Sequence, residues 1–471
     1  MRDIVRKDPR FFVLATFAAV GLRLVFLFRF PALTPDSFVY GDIAKNWLQH
    51  GIYGLSGQYQ ITPTYIRLPG YPAFLAAVFA VFGMEHYRAA LVLQMFVDIG
   101  TCFVIADLTC RLVSARVAKA AFLLAALCPF LANYTAAVLT ETLEVFFTVL
   151  AVDFVIAGLN VIDTAAGWPW LGCGLATAAA ILLRPDGGLL LAAIGIYLTC
   201  LLVGRIRKRS SVGWVLRGGL ITLGVSLLPL IPWTLRNLHT LHRFESLAPR
   251  YANEPNAFVP MGFNRWVKTW MADYVSLDEV YWAQSTSTLD TDKFPSRAFD
   301  SPVERHETEQ LLGEYNKTLQ VSPDLDAKFA KLAADRIHHA PLRYYVWLPL
   351  LRIADMWLRP RTELLPLEAR WWNFDDDPQW IALTLVLGVT NLLYIAAALL
   401  GLVRGRFAIH LSLLLIFVIL RSAFLGTLEN PEPRYTLECY PVVILLAASL
   451  VGSADFRSPL ETARVRFPGA A

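Results

Sequence analysis

Apolar runs long enough to cross a lipid bilayer recur along this chain, and nothing else narrows its fold so far. A helix needs about 18 nearly uncharged residues to span the hydrocarbon core. Ten stretches meet or approach that length: 11–28, 89–110, 117–138, 142–159, 168–183, 187–204, 218–235, 379–403, 407–425 and 437–453. Composition agrees, since 17% of the residues are charged where a soluble domain carries about 25%. Disorder, a coiled coil and a disulfide scaffold are excluded by the same balance. The chain reads as an all-α polytopic membrane protein of about ten transmembrane helices. With no signal-peptide cleavage site after the first run, that run is expected to remain as a span.

Charge placement sets the sides. With the N-terminus inside, segments 1–10, 111–119, 160–167, 205–217, 404–406 and 454–471 hold 17 Lys/Arg; the short outer connections hold six: Arg29, Lys45, Arg67, Arg88, Arg184 and Arg434. This is the positive-inside asymmetry, and it predicts both termini in the cytoplasm. The stretch 72–83 is apolar but only twelve residues long, and it reads as an interfacial helix. Counting it as a crossing would put RIRKR (205–209) outside.

One connection is different. Residues 236–378 carry 38 of the chain's 80 charged side chains, so they read as an extracytoplasmic loop domain, mainly helical over 304–336. Within it, 341–358 is interrupted by Arg343, Pro349, Arg352 and Asp355 and is expected to rest on the outer leaflet. The expected organisation is an N-terminal membrane module (1–235) with its first outer loop at 30–88, the loop domain (236–378), a C-terminal module (379–453) and a tail (454–471).

With sides assigned, the unusual polar residues gather outside: Asp36, Asp42, Arg67, Glu141, Arg184, Asp186, Arg236, Asn237, Glu432, Arg434 and Tyr435. Each has an ordinary explanation. Asp36 suits the cap of a helix beginning at Ser37, Glu141 suits a helix dipole, and Arg184 and Asp186 can pair with each other. An arginine at a membrane surface can also simply snorkel. Four arginines converging with acids on one face fit better a site that neutralises a phosphate or pyrophosphate. In RLPGYP (67–72), Pro69 and Pro72 fix the backbone behind Arg67, and Gly70 permits close approach of a ligand. Buried charges at Arg23, Asp98, Asp107, Glu144, Asp153 and Arg421 are scattered, and pairing within the protein is expected for Asp107 and Asp153. No Walker A, GxGxxG, HExxH or GxSxG sequence is present. The six cysteines lie in or beside apolar runs, and the eight histidines form no ligand set.

In order along the chain stand Arg23, PDSFVYGDIA (35–44), RLPGYP (67–72), LTETL (139–143), LRPDG (183–187), PWTLRN (232–237) and PRY (433–435). This series resembles the GT-C membrane glycosyltransferases. More narrowly, it resembles the bacterial branch of the dolichyl-phosphate-mannose–protein mannosyltransferase family, with its aminoarabinose transferases and RgtA/B/C/D-like enzymes. The resemblance implies an inverting transfer of a sugar from a polyprenyl-phosphate donor to a lipid, glycan or protein acceptor at the outer face of the cell membrane. By that likeness Asp36 is the general base. Arg67, Arg184, Arg236 and Arg434 bind the donor phosphate, and Tyr40, Asp42, Tyr71, Glu141, Asp186, Asn237 and Tyr435 support the substrates. Many members have Asp-Glu where this chain has Asp36-Ser37, which leaves the second acid missing or moved to Asp42. A divalent metal is not expected, no cofactor is implied, and no nucleic acid is among the expected partners beside donor, acceptor and membrane lipids. A transporter or flippase of lipid-linked glycans, or a glycan polymerase or ligase, are the alternatives.

Overall fold

The computed structural model describes residues 1–161 (backbone only at 2 and 3), 167–254, 256–284, 286–373, 378–405, 407 and 410–452. The expected tail 454–471, residues 162–166 of the inner connection 160–167, and Arg406 lie outside the described residues. Among the described residues, seven helical segments are long and apolar enough to cross a membrane: Pro9–Arg29, Tyr87–Leu112, Glu141–Asn160, Pro185–Arg207, Gly213–Leu241, Pro378–Arg404 and Pro433–Gly452. Trp168–Leu183 and Leu411–Gly426 are apolar helices of sixteen residues each.

The stretch 117–138 departs from expectation, because it is not one helix. Ala115–Ala126 ends at Leu127–Cys128, and Pro129–Tyr134 starts anew. Pro129 removes a backbone donor and forbids a continuous helix, and the carbonyls freed by the break lie in an apolar interior where each must find a partner. Arg23, fully buried in the first long helix, supplies it. Its guanidinium donates to the carbonyls of Ala125 (3.1 Å) and Ala126 and lies 2.7 Å from buried Asp98.

Gly70–Phe82 is a thirteen-residue helix, about 20 Å long at 1.5 Å per residue, too short to cross. Gly70 serves a different purpose from the one expected. A Cβ there would stand 2.6 Å from the Leu182 carbonyl oxygen, so the close approach is to the end of helix Trp168–Leu183 and not to a ligand. The first outer loop also holds a small antiparallel hairpin, β1 (Gly54–Ser56) with β2 (Ile61–Pro63).

The two most buried spans lie at the centre. The apolar windows of Glu141–Asn160 and Pro433–Gly452 are 78% and 83% buried, against a third or less for Pro9–Arg29, Pro185–Arg207, Gly213–Leu241 and Pro378–Arg404. Beyond the bundle, a separate aromatic core built on Phe263, Trp266, Trp270, Phe294 and Phe329 organises the loop domain. Its segment 341–358 contains the helix Leu348–Leu358, eleven residues long, with Leu342, Tyr345, Trp347 and Leu350 exposed beside it. The pairing expected of Asp107 and Asp153 is present: Arg111 lies 2.8 and 2.9 Å from the two carboxylates.

Candidate active site

Backbone pairing brings the first outer loop to the start of the central helix. The Ala32 N–H donates to the Ala136 carbonyl (2.8 Å), the Val138 N–H donates back to Ala32, and the Ser37 hydroxyl donates to Val138 (2.8 Å). The helix that follows starts two residues earlier than expected. Thr34 is its cap, in a reciprocal capping box with Ser37, and Pro35 occupies the first helical position. Asp36 is therefore not the cap. Its carboxylate is free to reach across the loop, and it meets Arg67 at 2.6 Å.

From Asp36 a continuous network of ion pairs runs into the bundle. Arg434 lies 3.6 Å from Asp36, 3.6 Å from Glu141 and 2.6 Å from Glu432. Arg184 lies within 3.3 Å of Glu141, 3.5 Å of Glu144 and 3.2 Å of Asp186. Arg421 closes the far end, 2.9 Å from Asp186, 3.6 Å from Glu144 and 2.8 Å from Glu438. The Tyr435 ring separates two of the cations, with the Arg184 guanidinium 4.5 Å and the Arg434 guanidinium 5.3 Å from its centroid. A guanidinium over an aromatic face gains from the ring quadrupole, more so away from water.

The ends of the network differ in access. Glu141, Glu144, Arg421 and Glu438 are essentially fully buried, whereas Asp36 keeps a third of its surface. Burial pushes the Asp36 carboxyl up, but Arg67 and Arg434 together outweigh it and hold its pKa below the ordinary value. Asp36 is thus a carboxylate at neutral pH. Burial pulls the Arg67 guanidinium down, yet its pKa stands above the ordinary value, with the Asp36 carboxylate hydrogen-bonded beside it. Burial also pushes the Tyr40 hydroxyl up to about 12, which keeps it neutral.

Eight of the residues singled out in the sequence meet here: Asp36, Tyr40, Arg67, Glu141, Arg184, Asp186, Arg434 and Tyr435. Four do not join the network. Arg236 donates to the carbonyls of Thr64 (2.7 Å) and Tyr53 (2.6 Å) and stacks near Tyr53 and Trp233, so its charge staples a helix end to the hairpin. Asn237 accepts from Arg236 and donates to the Glu245 carbonyl. Asp42 binds the Ser56 backbone and hydroxyl, and Tyr71 donates to Gln94 in the core.

Conversely, Glu144 and Arg421 are not scattered charges but members of the network, together with Glu432 and Glu438. The spacing held a usable signal. Glu144 stands three residues after Glu141, and Glu438 four after Arg434, the separations that put side chains on one helical face. Among the described residues, no group of three His, Cys, Asp or Glu side chains is placed to hold a metal ion.

Residues 66–233 match the family model described as dolichyl-phosphate-mannose-protein mannosyltransferase. That span includes Arg67, Glu141 and Arg184 and stops short of Asp36 and Arg434. No curated protein sequence matches the chain. Among solved structures, the archaeal oligosaccharyltransferase AglB from Archaeoglobus fulgidus, in complex with an inhibitory peptide and a dolichol-phosphate, aligns at a TM-score of 0.51 and 14% identity over 98% of this chain. The chain spans about half the length of that enzyme, 54%. ArnT from Cupriavidus metallidurans bound to undecaprenyl phosphate aligns at a TM-score of 0.40 and 12% identity, covering 93% of this chain and 78% of that one. The molecule is an all-α protein that shares its fold with that oligosaccharyltransferase, and the match to the mannosyltransferase family model covers about a third of its length.

Proposed function

From this fold and network we propose that the protein is an inverting membrane glycosyltransferase. It takes a sugar from a polyprenyl-phosphate donor and passes it to an acceptor hydroxyl at the extracytoplasmic face of the cell membrane, with both termini inside. The observation that carries the reading is the partly open carboxylate of Asp36 between two guanidiniums, at the more exposed end of a network whose far end is buried.

The chemistry follows from those groups. Asp36 takes the proton of the acceptor hydroxyl as its oxygen attacks the anomeric carbon from the face opposite the phosphate. The bond between that carbon and the phosphate oxygen breaks, and its electron pair stays on the oxygen. A single displacement of this kind inverts the anomeric centre. The departing lipid phosphate gains a negative charge, so Arg67 and Arg434 stabilise the transition state more than the bound donor. Arg184, ringed by three carboxylates, orients Glu141 beneath Arg434.

In the free protein Arg67 is spent on Asp36. A donor phosphate that draws Arg67 away relieves the carboxylate of its nearest cation and raises its basicity, so the base strengthens as the donor seats. We expect Asp36→Asn to abolish transfer by purified protein in detergent while binding of undecaprenyl phosphate stays within about twofold. Transfer at the wild-type rate would refute Asp36 as the base. The glycan mass that disappears from cells lacking the protein identifies the sugar and acceptor. A lipid-linked glycan transporter would show no transfer in detergent, where no gradient exists.

A further inference from the structure

Residues 352–363 of the loop domain bridge it to the membrane bundle. Arg352, Arg359, Arg361 and Thr362 are all buried, and the side chains of Arg352 and Arg361 lead toward the stretch that carries Arg434. Arg352 donates to the carbonyls of Lys268 and Met271 in the loop domain and to Gly426 (3.2 Å) at the end of helix Leu411–Gly426. Nine residues on, the Arg361 guanidinium donates to the Pro433 carbonyl (2.8 Å), the Tyr440 hydroxyl (2.9 Å) and the Thr436 hydroxyl. It lies 4.5 Å from the centroid of the Tyr440 ring. Tyr440 in turn donates to Asn391, whose amide holds the carbonyls of Trp357 and Arg359.

Arg361 has no carboxylate among these partners. Its planar fork reaches Pro433 and Thr436, which flank Arg434 and Tyr435 in the turn Pro433–Cys439, and Tyr440 just beyond it. A fork of five donors in fixed geometry fixes a backbone far better than a single ammonium. We infer that Arg361 is a positioning residue for the phosphate-binding arginine: it locks the turn Pro433–Cys439 so that Arg434 faces Asp36 and Glu141. This rests on the phosphate reading of Arg434. It assigns to the loop domain an indirect part in donor binding, exerted through Arg434.

The test has two readouts. Backbone hydrogen exchange of the peptide covering 433–439 is compared in full-length wild type and Arg361→Met, and affinity for undecaprenyl phosphate is measured on the same samples. Exchange in that peptide is expected to quicken at least tenfold, and affinity to weaken about tenfold. Arg361→Lys should recover only part of either, because lysine keeps the charge and loses the fork. Tyr440→Phe and Thr436→Val each remove one contact and should weaken affinity two- to threefold, which keeps the inference testable if Arg361→Met does not fold. Unchanged exchange, or faster exchange with unchanged affinity, overturns it, as does full rescue by lysine. If wild type itself fails to bind the lipid phosphate, the phosphate reading falls; the exchange result still decides whether Arg361 fixes the turn.

Discussion

Asp36 is a carboxylate claimed by two cations, and its titration reports both. Its folded pKa lies below the ordinary value because Arg67 and Arg434 overcome the effect of burial. The ion pair therefore stabilises the fold above that ordinary value, about 3.9, and is lost as pH falls through the lower, folded one. Removing Arg67 leaves burial less opposed. In Arg67→Met we expect the acid limb of kcat/KM to move to higher pH than in wild type, with donor KM raised about tenfold; an unmoved limb would separate Arg67 from the base. The sequence made these two residues visible because they lie in short polar outer segments. It misplaced Asp36 by two residues because Thr34, Pro35 and Asp36 all favour a helix start, and only the reciprocal bond between Thr34 and Ser37 decides among them. Glu144, Arg421 and Glu438 stayed obscure because each lies in an apolar run away from most of its partners in sequence. Their partners lie 235 residues away in the case of Asp186 and Arg421.

At the scale of elements, hydropathy locates helices well and locates their interruptions poorly. The break at Leu127–Cys128 falls inside an apolar run, and what makes it tolerable is Arg23, about a hundred residues earlier. Arg23 has no exposed surface and Asp98 has 2%, so deleting either partner leaves a bare buried charge, which costs roughly 3–5 kcal/mol. Arg23→Leu should therefore accumulate poorly and melt well below wild type in detergent. Arg23→Leu with Asp98→Leu removes the stranded charge and should recover much of that loss, short of wild type because the Ala126 carbonyl loses the Arg23 donor and Ala125 keeps only its backbone partners. A double variant no more stable than the single one would show that the carbonyl bonds, not the ion pair, carry the cost.

For the whole molecule, the asymmetry of charge gave an arrangement that labelling checks directly. Val303 is exposed on the loop domain, and Lys208 is exposed in the basic connection after Gly188–Arg207. In cells whose protein lacks Cys200, the one exposed native cysteine, Val303→Cys should react with a membrane-impermeant maleimide from outside. Lys208→Cys should react only after the membrane is opened; the reverse pattern would invert the topology. The loop domain's charge made it stand out as a separate body in the sequence. Its grip on the donor turn did not, because Arg361 and its partners Pro433, Thr436 and Tyr440 meet only once the chain has folded back on itself.

The ion-pair network also has an order in time. Glu141, Glu144, Arg184 and Asp186 are made in the first half of the chain, while Arg421, Arg434 and Glu438 arrive with its final fifth. Until synthesis reaches that point, Glu141, Glu144 and Asp186 have Arg184 as partner and lack Arg421 and Arg434, the two further cations that pair with them in the folded protein. A chain stopped before Arg421 lacks the cations that pair with Glu141, Glu144 and Asp186 alongside Arg184.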